Sequence, residues 1–308
     1  MKKNIVFYAF LMMPFICSSQ KFIQSYQDHV NTVSQNNINT YLEQFEKLGV
    51  KTTGSANNAA TLVWLKNIYF SLGYSENQIE EDSFEYEDSG KIITSKNLII
   101  TKKGTLYPDT YVIICGHFDS KNGPGVNDNG SGTSVILETA RILEDIPTEY
   151  SVKFIHFSGE EQMGKGSAHY VNSVVYQNNI RKMDVKLVLN LDQVGGKKGN
   201  RNTRIFCEKD QAGTPENNRL SASFTRQLMT CVELYSPLKA WSAPAYNSDY
   251  TPFEKKGEVI TGLYEYIESG NEHTENDTFV NIDPIYIFNV CKATVGAVQH
   301  FTAVKNNL

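Results

Sequence analysis

The feature that most constrains the fold is an alternation of apolar strands with amphipathic helices along most of the chain. Short apolar runs such as "YVIIC", "VKFIHF" and "LVLNL" fit buried strands, and stretches with apolar residues at helical spacing lie between them. Strands that alternate with helices pack into a mostly parallel sheet covered on both faces. We therefore predict an α/β domain whose ligand site lies beyond the carboxyl ends of the strands.

The same patterns predict the individual elements, and because no internal repeat or low-complexity linker interrupts them, residues 20–308 are expected to form one domain. Helices are predicted in "NINTYLEQFEKL", "NNAATLVWLKNIYFSLG", "GSGTSVILETARIL", "SAHYVNSVV", "NRLSASFTRQLMTCVEL" and "DPIYIFNVCKATVGAVQHF", the last beginning at Asp283 and Pro284. Strands are predicted in "SKNLIITKKGTLYPDTYVIICGH", which holds two around a polar turn, and in "YSVKFIHFS", "DVKLVLNL" and "EVITGLYEY".

The first residues, "MKKNIVFYAFLMMPFICSSQ", have the pattern of a targeting segment. Lys2 and Lys3 precede an apolar run that ends in small residues, which predicts a secretory signal peptide over residues 1–19 with cleavage before Gln20. A run of about 12 apolar residues is too short for a membrane-spanning helix. A lipid anchor on Cys17 is the disfavoured alternative, because the two residues before it are bulky. We expect a secreted or periplasmic protein without stable membrane insertion.

Charge and cysteine content exclude two further classes. The full chain has a formal net charge of -5, and loss of the two signal-peptide lysines would bring it to -7. An acidic exported chain is a poor candidate for nucleic-acid binding. The four remaining cysteines are too few for a disulfide scaffold in a chain of this length, although one Cys207–Cys231 bridge stays open.

Polar residues follow three of the predicted buried strands. His117 and Asp119 come after "YVIIC", Glu160 and Glu161 after "VKFIHFS", and Asp192 after "LVLNL". A single acid at such a place could cap a helix. Three strands that each deliver a metal-type ligand to one sheet edge favour a metal site instead.

The loop "GPGVNDNGSGTS" follows the first of these strands and places Asp128 at the same edge. It lacks the lysine that a phosphate-binding loop carries beside its last glycine, and its acid would repel an anion. We therefore expect the loop to hold a cation. His273, in the polar stretch "GNEHTENDTF", is the fifth candidate ligand. The other four histidines are expected to be structural or exposed: His29, His156, His169 and His300.

Two histidines and three carboxylates suit a pair of zinc ions. Zinc accepts imidazole nitrogen and carboxylate oxygen, and it keeps an open position for water in catalytic sites. Three carboxylates and one hydroxide would neutralise two such ions, which makes burial in a cleft tolerable. Asp119 lies two residues beyond His117 and could accept a hydrogen bond from its ring.

These motifs resemble those of a known family. "GHFDS", "GVNDNGSGTSVILETAR", "SGEEQMGKGS", "LNLDQVG", "SDYTPF" and "HTENDT" are similar, in order and spacing, to the motifs of the secreted bacterial leucyl aminopeptidases, which are co-catalytic zinc exopeptidases. The resemblance runs from about Asn97 to the C-terminal helix. It implies a three-layer α/β/α sandwich with a mixed, mostly parallel central sheet, and a peptide or small protein as substrate.

The resemblance also implies a role for each site residue, and a cis peptide between Asp128 and Asn129. In that family, the water shared by two zinc ions attacks the substrate carbonyl and a glutamate acts as general base. Carried onto this chain, Asp128 would bridge the ions, His117 and Asp192 would hold one, Glu161 and His273 would hold the other, Glu160 would be the base, Asp119 would orient His117, and Tyr246 would stabilise the oxyanion.

The sequence departs from the family pattern at Met163, Gly164 and Lys165, and at Tyr250, where the family has histidine. Two other functions remain as alternatives: a single-zinc glutaminyl-peptide cyclase on the same fold, and a non-catalytic binding domain. Carboxypeptidase or dipeptidase specificity also stays open. The pattern fixes neither the oligomeric state nor whether residues 20–35 form a removable pro-segment.

Overall fold

The computed structural model describes residues 20–304; the signal-peptide prediction, with Cys17, lies outside them. A central sheet of eight strands has the order β1-β2-β4-β3-β7-β10-β8-β9, and β5 and β6 form a separate hairpin. The strands are Ile79–Asp88 (β1), Lys91–Lys102 (β2), Tyr107–His117 (β3), Tyr150–Phe157 (β4), Tyr176–Gln177 (β5), Ile180–Arg181 (β6), Asp184–Leu191 (β7), Arg204–Lys209 (β8), Lys239–Pro244 (β9) and Ile260–Glu265 (β10).

The helices cover both faces of this sheet, so the predicted α/β sandwich with a mixed, mostly parallel sheet is confirmed. The predicted helices are present with ends shifted by a few residues, and Asp283 caps the last by accepting from the main-chain N–H groups of Ile285 and Tyr286. The helices are Gln24–Val30 (α1), Gln35–Lys47 (α2), Ala56–Ser71 (α3), Gly132–Leu143 (α4), Lys165–Tyr170 (α5), Pro215–Tyr235 (α6), Thr251–Lys255 (α7) and Pro284–Phe301 (α8).

The two faces of the sheet carry separate cores. Along β3, Val112 and Ile114 belong to a large core shared with α1, α2, α4, α6 and α8. Ile113 and Cys115 point to the other face, where they join a smaller core with residues of α5 and α7. This alternation follows from the two-residue period of a strand, and it explains why β3 is apolar at consecutive positions.

Four neighbouring strands, β4, β3, β7 and β10, run parallel to one another, whereas the β1–β2, β2–β4 and β8–β10 pairings are antiparallel. The parallel block is in close register at its carboxyl ends, with His117 opposite Phe157 and Leu191 opposite Leu263. Loops that leave these four strands therefore start at one edge of the sheet, as the sequence predicts.

Three strands of the main sheet were not predicted from the sequence, namely β1, β8 and β9, and neither were the short helices α1 and α7. In β1 only Phe84 is buried, so the strand lacks the apolar alternation that marks a half-buried strand. The cysteines Cys115, Cys207, Cys231 and Cys291 are all free thiols within the described chain, so the Cys207–Cys231 bridge is not formed. No helix among residues 20–304 is long and apolar enough to cross a membrane.

Candidate metal centre

The five predicted ligands meet at the carboxyl edge of the parallel block. His117 is the last residue of β3, Glu161 follows β4, Asp192 follows β7, and His273 lies in the loop after β10. Asp128 comes from the turn Val126–Ser131 that leads into α4. His117, Glu161 and Asp192 thus end or follow buried strands, Asp128 comes from a buried turn, and His273 comes from a longer, more exposed loop.

The ligand atoms form two groups that share Asp128. In the first group, His117 Nε2 lies 3.1 Å from Asp128 Oδ1 and 3.4 Å from Asp192 Oδ1. In the second, His273 Nε2 lies 3.1 Å from Asp128 Oδ2 and 2.9 Å from Glu161 Oε2. Within each group the ligand atoms lie within 4.8 Å of one another. The two oxygens of Asp128 therefore face different groups.

The turn that carries Asp128 depends on small residues and on main-chain contacts. Gly125 has a φ of 64°, a left-handed conformation that glycine adopts without strain, and its carbonyl accepts from Gly130 N at 2.9 Å. The cis peptide expected between Asp128 and Asn129 is present, and a second one follows Asp192. An added Cβ at Gly132 would overlap the Leu191 carbonyl oxygen, so α4 can begin this close to β7 only with glycine.

Asp277 anchors the same turn from the loop that carries His273. Its Oδ1 accepts from Asn127 N at 2.6 Å and its Oδ2 from Asp128 N at 3.0 Å. Burial raises the pKa of this carboxyl to about 6, against the effect of the two main-chain bonds. Asp277 thus connects the loops of two candidate ligands; sequence reasoning did not identify it, although it lies within "HTENDT".

Asp119 lies beside the His117 ring, and its carboxylate also contacts the loop after β4. The ring Nδ1 of His117 lies 3.1 Å from the main-chain carbonyl of Asp119 and 3.6 Å from its carboxylate Oδ1. The carboxylate also accepts from the main-chain N–H groups of Glu160 and Glu161, at 3.2 and 3.3 Å, and from Thr53. Because the chain turns after His117, the side chain of Asp119 reaches the loop after β4. It positions the glutamate pair, and its carbonyl faces the His117 ring.

Asp192 is held in place by Ser248, the first residue of the motif "SDYTPF", to which the sequence analysis gave no role of its own. Ser248 Oγ donates to Asp192 Oδ2 at 2.5 Å and accepts from Asn190 Nδ2 at 2.9 Å. This bond occupies one carboxylate oxygen and leaves Oδ1 facing His117. Such outer contacts fix the orientation of a ligating carboxylate.

The crowding of carboxylates and imidazoles perturbs their protonation. Burial raises the pKa of Glu160 to about 10, with Asp192 and other acids adding to the effect and His117 opposing it. Burial also raises the pKa of Glu161 to about 7. Burial alone would raise the pKa of Asp128, but its hydrogen bonds to His117 and His273 hold it well below its usual range. Cations would stabilise the ionised form of all three.

Four of the five candidate ligands, all except the buried His117, line a cleft that Glu160 and Tyr246 also line. Tyr246 is 72% exposed, and its ring centroid lies 6.2 Å from that of Tyr264. Its main-chain N–H donates to the buried Glu208, which also accepts from Tyr250 Oη at 2.9 Å. Tyr250, which departs from the family pattern, therefore helps to hold the loop of Tyr246 through their shared contact with Glu208.

The four histidines expected outside the site have other partners. His156 is buried and its Nε2 lies 2.8 Å from Tyr69 Oη, as expected of a packing residue. The remaining three contact polar side chains elsewhere: His29 with Gln299, His169 with Asp82, and His300 with Tyr235.

The sequence of the chain matches a known family and curated relatives. The model of Peptidase family M28 matches residues 97–297. The chain is 43% identical over 105 residues to Aminopeptidase YwaD of Bacillus subtilis, covering 33% of this chain and 22% of the relative. It is 28% identical over 230 residues to a probable zinc metalloprotease of Pyrenophora teres f. teres, covering 65% and 48% respectively. The chain thus spans less than half the length of these curated relatives.

Solved structures share the fold. The LapA aminopeptidase of Legionella pneumophila matches with a TM-score of 0.78 at 16% identity, covering 99% of this chain and 81% of that one. A glutaminyl cyclase of Bacteroides thetaiotaomicron bound to N-acetylhistamine matches with a TM-score of 0.72 at 14% identity, covering 86% and 97%. At these identities the likeness is one of fold alone.

Proposed function

Since this chain belongs to peptidase family M28, we propose that it is a zinc-dependent aminopeptidase that removes the N-terminal residue from peptides. The observation that carries this proposal is the position of the Asp128 carboxylate, whose two oxygens face two separate groups of ligand atoms. A carboxylate shared in this way suits a bridge between two cations. A single-ion site would need only one of the two groups.

The donor set fits two zinc ions. Each group offers one imidazole nitrogen and two carboxylate oxygens, and three such ligands would leave a position for water on a zinc ion. Glu161 Oε1 is buried and has no hydrogen-bond partner among the described residues, so a cation beside it would satisfy an otherwise unpaired oxygen. His117, Asp128 and Asp192 would hold one ion, and Asp128, Glu161 and His273 the other.

Bound zinc would supply Lewis acidity toward the peptide carbonyl and toward water. In this proposal Glu160 is the general base: it lines the cleft beside both groups, and Asp119 fixes its main chain. Glu160 accepts a proton from the attacking water and then donates it to the nitrogen of the departing amine. The exposed phenol of Tyr246, at the cleft wall, would donate a hydrogen bond to the oxyanion.

We further propose that the protein is exported, with the signal peptide removed before Gln20. The mass of the protein recovered from the native host tests this proposal. A mass that begins at residue 20 supports it, a lipid-modified chain that begins at Cys17 supports the anchor instead, and a full-length chain contradicts both.

The test of the proposed activity is a comparison of wild type with Glu160→Gln, both zinc-loaded, on aminoacyl anilides and on a glutaminyl peptide. We expect wild type to release amino acids, and the variant to keep its zinc while losing about 10²–10⁴-fold of turnover. Glu233→Gln, a change at a half-exposed residue of α6, is the matched control. Near wild-type turnover in Glu160→Gln would remove this residue from the mechanism.

The glutaminyl peptide separates the alternatives. Cyclisation of its first residue without hydrolysis of aminoacyl anilides would establish the cyclase function instead. If the protein binds zinc but catalyses neither reaction, the result would favour a binding domain.

A further inference from the structure

One wall of the cleft consists of Gln193, Tyr264 and Glu268, which we call the polar wall. Gln193 directly follows the candidate ligand Asp192, and the other two lie at the end of β10 and just beyond it. The proposed mechanism uses none of the three. Their place next to the candidate reaction centre makes them the surface that a substrate side chain would contact.

Two side chains of the polar wall hydrogen-bond to each other, but one buried acceptor of the wall has no donor among the described residues. Tyr264 Oη donates to Glu268 Oε1 at 2.9 Å, and the Gln193 carbonyl accepts from Glu265 N at 2.8 Å, which fixes the main chain. Gln193 is only 6% exposed, and its side-chain Oε1 has no hydrogen-bond partner among the described residues. A buried acceptor without a donor is costly, so this oxygen favours a ligand that brings a donor.

The charge of the cleft favours a donor that is also a cation. With the candidate ligands set aside, the charged residues that line it are Glu160, Glu268, Glu272 and Lys121, three carboxylates against one ammonium. Met163 is the one aliphatic residue among the described residues that line the cleft. A leucine side chain placed here would cover Gln193 Oε1 and Glu268 without pairing either of them.

We propose that the polar wall is a specificity subsite for a cationic side chain, so that peptides with lysine or arginine at the N-terminus are preferred over those with an apolar residue. An ammonium or guanidinium group brings several donors and no acceptor, which matches the acceptors of Gln193 and Glu268. The rings of Tyr246 and Tyr264 would pack along its aliphatic stem. This inference rests on the aminopeptidase function proposed above.

The experiment compares lysyl and norleucyl anilides, because norleucine keeps the lysine stem and lacks only the ammonium. With zinc-loaded wild type we expect kcat/KM to be at least about tenfold higher for lysyl, as for a charged hydrogen bond to a buried acceptor. Glu268→Gln should lower the lysyl-to-norleucyl ratio of kcat/KM about fivefold. The effect is modest because Glu268 is exposed, so that solvent partly screens the ion pair it would form with the lysyl ammonium. Glu275→Gln, in an exposed residue outside the cleft, should leave the ratio unchanged.

A second variant keeps the test independent of Glu268. Gln193→Leu should also lower the ratio, about tenfold, in protein whose zinc content matches wild type. A wild type that prefers norleucyl, or a ratio unaltered by both substitutions, would overturn the subsite while leaving the aminopeptidase proposal standing. Failure to hydrolyse any aminoacyl anilide would overturn the proposed function and the subsite with it.

Discussion

Replacement of Asp277 by asparagine tests whether this residue holds the turn that presents Asp128. Its two carboxylate oxygens accept from the main-chain N–H groups of Asn127 and Asp128, and the side chain is buried. Asparagine keeps one oxygen, but its amide group would face the second N–H donor. One buried donor left unpaired costs about 1–3 kcal/mol, and the change of the other bond from charged to neutral adds about 1 kcal/mol. We expect the free energy of unfolding to fall by about 2–4 kcal/mol.

Urea denaturation of metal-free protein measures this loss, and Asp109→Asn, the same change at an exposed aspartate, is the control. Because Asp277 orients the loops of two ligands, zinc affinity should also fall by about 10–100-fold. If Asp277→Asn and Asp109→Asn unfold within about 0.5 kcal/mol of each other, the anchoring role is refuted. A large loss of stability with unchanged zinc affinity would refute only the link to the metal site.

Two other predictions concern residues around the site. Burial raises the pKa of Glu208 to about 8 from 4.5, so the folded state binds the proton more tightly than the unfolded state does. The contribution of this protonated carboxyl to the free energy of unfolding is therefore full below pH 4.5 and is lost as the pH rises toward 8. Relative to Glu208→Gln, the free energy of unfolding of wild type should fall by up to about 4 kcal/mol across this range, as measured by urea denaturation. A difference that does not change with pH would contradict the raised pKa. Gly132→Ala should lower the free energy of unfolding by about 1–3 kcal/mol, because the added methyl group would overlap the Leu191 carbonyl oxygen. A variant that melts at the same temperature as wild type would contradict this expectation.

The sequence predicts the centre of the sheet better than its edges. Strands β3, β4 and β7 are continuous apolar runs, because both of their faces are buried. The edge strands β1 and β9 are largely exposed, so their residues need no apolar period, and only pairing with a neighbour makes them strands. The strand order also depends on contacts between distant parts of the chain, which no local pattern records.

The same distinction applies to the site. Candidate ligands such as His117 and Asp192 could be found because one ends a buried strand and the other directly follows one, so their positions depend on local sequence. Asp277 could not be assigned a role, because its partners are main-chain groups 149 and 150 residues away. The contacts of Asp119 with the loop after β4 could not be predicted, since the direction of its side chain depends on the turn after β3.

The most direct test of the proposed two-zinc centre is a crystal structure of zinc-loaded protein with anomalous diffraction recorded at the zinc edge. We expect two anomalous peaks of similar height in each chain, with Asp128 contacting both through separate oxygens. One peak should contact His117 and Asp192, and the other Glu161 and His273. A single peak at full zinc occupancy, or two peaks without Asp128 between them, would contradict the bridging role and the proposed two-zinc centre.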